Sequence, residues 1–274
     1  MTYLTSNQLK QYHEKGYLAP IDILSKSEAL AARKEIELIE KQMSNEIGKS
    51  GRYNVHLISP KLDSIVHNSK ILDVVESIIG KNILVCSTTL FIKNPNEQDF
   101  VSYHQDAKYI GLKPHNWITA WVALTDSYEE NGCMKMWPKS HLEIKDHNEK
   151  FNKGNLLTRG QTVENVPENE IELVELKAGQ ISLHHPRIVH GSGINKSNDR
   201  RIGFVIQSYI GTNVNQVLGK MYVQLARGYD EFKHHEYANR PIELMSKDDI
   251  LVRTKANEEL TKIFYKGSDK KGKY

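Results

Sequence analysis

The chain has 274 residues, 26% of them charged, a net charge of +3 and two cysteines. So small a charge excess leaves no electrostatic footprint for nucleic acid, and Cys86 and Cys133, far apart and outside any CxxC pattern, build no disulfide framework. No stretch is long and apolar enough to span a bilayer as a helix, and Met1-Thr2-Tyr3-Leu4 does not open a signal peptide, so a cytoplasmic protein without membrane contact is expected.

One unit is expected across 1–274, since this length buries a single sizeable core. Its first part, 1–81, reads as helix-rich. Thr5 or Ser6 is placed to cap a short helix that ends near Gly16. Ser25-Lys26-Ser27-Glu28 has the spacing of a capping box, and Leu30, Ile36, Ile39 and Met43 recur behind it at helical intervals. Ser69 is read as the cap of another helix, with Ile71, Leu72, Val75, Ile78 and Ile79 as its buried stripe and Gly80 as its stop.

From Asn82 the period changes to that of strands. The run 83–92 is β-branched and apolar, and further strands are expected over 102–106, 117–124, 133–137, 179–184 and 201–209. Turn signals separate them: Asn131-Gly132, Ala178-Gly179, Gly191-Ser192-Gly193 and 195–198. Many short strands between turns predict a mainly β, double-sheet jelly roll over 82–210 with flanking α-helices. The polar stretch 142–170 is too long for a hairpin loop and reads as a rim or lid insertion. A helical extension over 211–265 follows, its last helix starting at Ser246 and running through Leu251 and Leu260 toward Ile263. A frayed basic tail occupies 266–274.

The residues that carry chemistry sit inside the strand-rich part. His104 and Asp106 are two residues apart, which on a strand directs both side chains to one face. A second histidine from a distant strand would complete a set of two imidazoles and one carboxylate on a metal ion, leaving open positions of the kind non-heme Fe(II) oxygenases use for cosubstrate and O₂. In isolation His-x-Asp fits a polar strand rim, but Tyr109, Trp117 and Trp121 follow closely and supply the walls of an enclosed site.

Twelve histidines compete for the remaining position. His190 follows apolar Ile188-Val189 and precedes Gly191-Ser192-Gly193, whose small residues permit close approach. His184 and His185 face opposite ways, and His141 and His147 are read as solvated surface. Arg201 is suited to grip a remote carboxylate with its planar fork. Its neighbour Arg200 must face the other side. Parity leaves the choice open, and Gly203, on Arg201's face, favours Arg201 by leaving space for a bound acid.

The runs Tyr103-His104-Gln105-Asp106, Thr119-Ala120-Trp121-Val122-Ala123-Leu124, Glu130-Asn131-Gly132-Cys133-Met134 and Pro138-Lys139-Ser140-His141 resemble the phytanoyl-CoA dioxygenase family. So do Asn155-Leu156-Leu157-Thr158-Arg159-Gly160-Gln161, the stretch from His184 to Asn195, and Asp199-Arg200-Arg201-Ile202-Gly203-Phe204. The resemblance runs from about Tyr53 to Tyr209.

It implies a cupin-like double-stranded β-helix, Fe(II), and 2-oxoglutarate decarboxylated to succinate as O₂ is activated. Carried over by position, His104, Asp106 and His190 hold the iron, Arg201 and Ser192 bind the distal carboxylate of 2-oxoglutarate, and Trp121 packs beside it. Lys139 stands where the family usually has Gly, and Gln207 where many bacterial relatives carry a basic residue. Halogenating relatives replace the metal-binding carboxylate with a small residue. Asp106 is present, so halogenation is not expected.

A hydroxylase of a small polar metabolite is the simplest reading. Its rivals are desaturation, epimerisation or ring closure at the same iron, and a jelly-roll protein that binds metal or small ligand without turnover. Candidate substrate contacts are Asn54, His56, Phe91, Gln105, Lys108, Tyr109, Trp117 and Arg187, of which Lys108 and Arg187 hint at an anionic group.

Overall fold

The computed structural model describes residues 3–43, 52–157 and 159–268; Met1, Thr2, Thr158 and the 269–274 part of the basic tail lie outside the described residues. Helices α1 (Ser6–Lys15) and α2 (Lys26–Gln42) flank strand β1 (Tyr17–Asp22), and α3 (Pro60–Val66) and α4 (Ser69–Ile79) follow. Then come β2 (Ile83–Val85), β3 (Thr88–Lys93), β4 (Val101–His104), β5 (Leu112–Lys113), β6 (Trp117–Ala123) and β7 (Met134–Trp137). The 142–170 segment carries a small ladder of β8 (Asn148–Glu149) and β9 (Gln161–Thr162). Strands β10 (Glu172–Val174), β11 (Gln180–His184), β12 (Val189–Ser192), β13 (Arg201–Gly211), β14 (Asn215–Gln216), β15 (Tyr222–Arg227) and β16 (Glu236–Tyr237) precede α5 (Lys247–Phe264).

Local chemistry sets the helix ends. Thr5 with Gln8 and Ser25 with Glu28 form reciprocal capping boxes, each satisfying two otherwise orphaned N–H groups. Gly16 closes α1 in the left-handed region (φ 85°). Asn68, not Ser69, caps α4: its side chain accepts from the Lys70 N–H, and Ser69 becomes the first helical residue.

The strands form two main sheets, ordered β1-β11-β6-β13-β2-β15-β16, with β3 also paired to β13, and β10-β7-β12-β4, besides the two-stranded ladders β14-β5 and β8-β9. This is the jelly roll that the strand pattern predicts. Alternation gives the large sheet two different faces. Ile118, Ala120, Val122, Ile181, Leu183, Ile202, Phe204 and Ile206 pack outward against Ala29, Ala32, Ile36, Ile39, Ile71 and Val75 of the helices. The opposite parity, Trp121, Ala123 and Val205, meets Met134 and Met136 of the small sheet. Arg201 shares parity with Val205, so it enters the space between the sheets. Each fully buried large aliphatic or aromatic side chain contributes about 1.5–3 kcal/mol.

Several sequence expectations change. The 83–92 run is interrupted at Cys86-Ser87, and its two pieces, β2 and β3, pair along β13 in one continuous register. Strand β4 ends at His104; Asp106 opens a 3-10 turn, with the Ala107 N–H donated to the Pro186 carbonyl at 2.9 Å. Gly191 and Ser192 lie within β12 and are no turn. The sheets extend beyond 82–210, recruiting β1 from the helix-rich part and β15 from the expected helical extension. In α2 the buried face runs through Ala29, Ala32, Ile36 and Ile39, while Leu30 faces solvent; in α5 Leu251 does the same. Lys139 adopts a left-handed backbone (φ 67°), the conformation that glycine takes at least cost.

Phe204 is fully buried at the helix–sheet contact and Leu30 is 49% exposed. Phe204→Ala is therefore expected to destabilise by about 3–5 kcal/mol, and Leu30→Ala by no more than about 0.5 kcal/mol. Urea unfolding monitored by circular dichroism checks both, and equal losses would mean that the α2 face is misassigned.

Candidate metal centre

Antiparallel pairing of β12 with β4 sets His190 directly opposite His104. Their ring centroids are 4.2 Å apart. Although Asp106 has left the strand, the turn brings its Oδ1 to 3.3 Å from His104 Nε2. One ligand atom from each of His104, Asp106 and His190 lies within 4.8 Å of the others.

Backbone carbonyls orient both rings. His104 Nδ1 faces the Ser102 carbonyl at 2.9 Å and His190 Nδ1 the Ile188 carbonyl at 3.2 Å. Donation from each Nδ1–H leaves the Nε2 lone pairs turned into the cavity, the tautomer a metal ligand requires. His104 Nε2 then confronts a carboxylate oxygen, acceptor against acceptor. Such a contact needs a positive charge between the two atoms, either a proton or a metal ion. Desolvation by burial keeps His190 neutral, its pKa lowered to about 4. Burial alone would raise the Asp106 carboxyl, but the His104 hydrogen bond and the nearby His190 and His184 rings outweigh it and hold the group well below the usual carboxylate range. Thr119 Oγ1 lies 3.3 Å from Asp106 Oδ2 and 2.8 Å from the Gln207 carbonyl.

The same cavity reaches Arg201, whose guanidinium carbon lies 5.4 Å from the Trp121 ring centroid. Arg201 is 1% exposed, and its Nε and Nη2 have no hydrogen-bond partner among the described residues. A buried cation with an unanswered fork is costly unless an anion meets it. The fit to a carboxylate is therefore good. Arg200 faces outward, paired bidentately with Glu40.

Gly203 has a different role from the one expected of it. A Cβ there would overlap the Trp121 indole, so the glycine accommodates Trp121 and not a bound acid.

Ser192 lines the cavity, and its Oγ accepts from Lys93 Nζ at 2.6 Å. Lys93, absent from the sequence expectations, is fully buried, pairs in register with Arg201 and also donates to the Gly193 carbonyl. Burial, with the Arg201 charge adding to it, brings its pKa down to about 5. The available signal was a lysine closing an apolar strand with the same parity as Phe91. His184 is a second addition to the site. It lines the cavity with its ring centroid 4.8 Å from that of His190, and burial lowers its pKa to about 3.

Of the eight candidate substrate contacts, only Phe91 and Tyr109 line this cavity. Asn54 bonds Asn257, and His56 bonds Thr88 Oγ1. Gln105 turns away to the Ser140, Glu143 and Arg187 carbonyls, tying down the 142–170 segment. Trp117 packs with Ile110, Val214 and Phe264 in a separate core. Lys108 is exposed, and Arg187 donates to the Leu142 carbonyl. His141, expected at the surface, is buried against His185; His147 is half-buried and accepts from the Gln105 N–H at 3.0 Å.

The family model for phytanoyl-CoA dioxygenase matches residues 12–203. A probable alpha-ketoglutarate-dependent hypophosphite dioxygenase of Stutzerimonas stutzeri is 27% identical over 234 residues, covering 78% of this chain and 81% of that protein. The peroxisomal phytanoyl-CoA dioxygenase of Bos taurus is 28% identical over 224 residues, covering 72% of this chain and 66% of that protein. Among solved structures, the non-heme monooxygenase ThoJ in its apo form superposes with a TM-score of 0.84 at 29% identity, covering 94% of this chain and 97% of that one.

Replacing His104, Asp106 or His190 singly by Ala should weaken Fe(II) binding at least tenfold, because each removes one of three convergent ligand atoms. Anaerobic calorimetry of each variant checks this. Retention of wild-type affinity by all three would exclude the triad as the metal site.

Proposed function

The chain belongs to the phytanoyl-CoA dioxygenase family, and from that membership we propose that it hydroxylates a small molecule, with His104, Asp106 and His190 holding iron and Arg201 holding the cosubstrate. It is accordingly an Fe(II)- and 2-oxoglutarate-dependent oxygenase. The observation that carries the residue assignment is the unanswered Arg201 fork sharing one cavity with the three convergent ligand atoms.

Bound iron supplies the O₂ chemistry that side chains lack, with 2-oxoglutarate, cleaved to succinate and CO₂, as its co-reductant. The chain's own part is to bind, orient and keep water out. Arg201 offers a bidentate hydrogen bond to the distal carboxylate, and the Trp121 ring beside it restricts that carboxylate to one approach. The Ser192 hydroxyl, anchored by Lys93, lies at the same end. The Ser102 and Ile188 carbonyls keep the two imidazoles in one tautomer. Asp106 supplies the third ligand, which supports oxygenation over halide transfer.

Arg201→Lys is expected to weaken 2-oxoglutarate binding about tenfold or more, because a point charge replaces a planar fork. Arg200→Lys alters only an outward ion pair and should leave it unchanged. Anaerobic titration of the Fe(II) protein with 2-oxoglutarate ranks them, and the reverse order would move the assignment to Arg200.

The reaction itself is tested by a substrate screen that reads succinate, followed by mass spectrometry of the product made under ¹⁸O₂ in excess chloride. One ¹⁸O atom and no chlorine is the expected result. A product two hydrogens lighter would indicate desaturation or ring closure at the same centre, and a chlorine isotope pattern would overturn the role given to Asp106.

A further inference from the structure

The metal ligands and Arg201 occupy one end of the cavity. Much of the rest of its wall is apolar or aromatic, with Tyr53, Phe91, Tyr109, Leu157 and Phe264, and the amides Gln161 and Gln207 add uncharged polar groups. Among the described residues that line the cavity, Arg201 is the only lysine or arginine, and the cosubstrate assignment commits it.

Two further arginines stand behind the wall. The Arg52 guanidinium carbon lies 5.5 and 5.1 Å from the Tyr53 and Phe91 ring centroids, and that of Arg159 lies 4.8 Å from Tyr109. Arg159 is already engaged, with Nε to Glu149 at 2.5 Å and Nη1 to the Phe264 carbonyl at 2.6 Å. It clamps the 142–170 segment onto the end of α5. An anion entering this end would lose its hydration without gaining a cation.

His184 stands apart from the other uncharged polar groups of the wall: Thr119 Oγ1 and the Gln207 side chain are hydrogen-bonded within the protein. His184 is 1% exposed, lines the cavity, and neither of its ring nitrogens has a hydrogen-bond partner among the described residues. A buried imidazole with neither nitrogen answered calls for a partner from outside the chain. His185, its neighbour, faces away toward Tyr12 and His141. Position separates His184 from the cosubstrate's anchor. It lies opposite Thr119 on β6, whereas Trp121, two residues further along that strand, pairs with Val205, and Arg201 lies four residues beyond Val205.

We propose that the substrate is a neutral small molecule with a ring or hydrocarbon body, held among Tyr53, Phe91, Tyr109 and Phe264 and hydrogen-bonded through one polar group to His184. The inference rests on the oxygenase reading for its reaction and stands on binding alone for its test. It separates this chain from the relatives named for hypophosphite, a small anion, and for a coenzyme A thioester, a polyanion. It also replaces the anionic group suggested by Lys108 and Arg187, neither of which lines the cavity.

The test is saturation-transfer NMR on protein loaded with Zn(II) and saturated with 2-oxoglutarate, so that Arg201 is occupied. The probes are 2-naphthol, 2-methylnaphthalene and 2-naphthyl phosphate. 2-Naphthol should bind at least tenfold more tightly than its phosphate ester, and Leu157→Asp should abolish that binding. His184→Phe should weaken 2-naphthol severalfold and leave 2-methylnaphthalene unchanged, with His184→Gln recovering part of the loss. The affinity for 2-oxoglutarate should be the same in all His184 variants.

Equal or tighter binding of the phosphate ester overturns the proposal. So does a parallel loss of both uncharged probes in His184→Phe, or a fall in 2-oxoglutarate affinity there. Binding as described without any succinate formation would refute the oxygenase reading alone, whereas turnover of an anionic substrate would refute the present inference alone.

Discussion

The pairing of β4 with β12 is the constraint on which the site depends. Side chains alternate along a strand, so a slip of one residue would turn either His104 or His190 out of the cavity. Register is held from both directions: β12 pairs with β7 through four consecutive residue pairs on its other edge, and Met134 and Met136 of β7 are buried in the inter-sheet core. The apolar packing of the small sheet thereby decides where two imidazoles sit. Asp106 escapes the register because it has left the strand, and a separate device positions it, the turn closed by the Ala107 N–H on the Pro186 carbonyl.

Convergence of this kind opposes folding. With each Nδ1 proton directed to a backbone carbonyl, lone pairs from two rings and a carboxylate converge on one small volume, where only a proton or a metal ion relieves their repulsion. Along the same wall Lys93 and Arg201, both buried, face each other across the β3–β13 ladder. This part of the cavity thus keeps excess negative potential at the ligand triad and excess positive potential at Arg201. A metal ion answers the first and a carboxylate the second, and a bound diacid that reached both would relieve both. Buried polar groups that fail to satisfy one another are the usual mark of a functional site.

Much of this was legible in the sequence because the relevant signals are local. The capping residues Thr5 and Ser25, the stop at Gly80 and the change of period at Asn82 depend on a few neighbours each. The relation of His104 to Asp106 was foreseen with the wrong geometry: two-residue spacing places side chains together on a strand, and a 3-10 turn happens to do so as well. Gly203 shows the limit of such reasoning. A glycine on an inward face signals close approach, but only the structure says what approaches, and here it is Trp121. Lys93 and Arg201 could not be paired from the sequence, since their juxtaposition is a matter of register between strands a hundred residues apart.

The substrate end was illegible for a deeper reason. Its wall comes from five separate stretches, of which only that of Leu157 falls in a motif-bearing run: Tyr53 ahead of the 3-10 turn at 55–58, Phe91 on β3, Tyr109 after the 106–108 turn, Leu157 in the 142–170 segment and Phe264 at the end of α5. The motif-bearing strands supply the metal and cosubstrate end, where iron and a diacid allow few donor sets. Against an apolar ligand many aromatic or aliphatic side chains serve equally, so chemistry imposes no fixed spacing there. Polar residues that looked like substrate contacts, Gln105 above all, instead satisfy backbone carbonyls of the 142–170 segment. A polar side chain that holds a loop in place and one that holds a ligand have the same composition, and only the direction of their hydrogen bonds tells them apart.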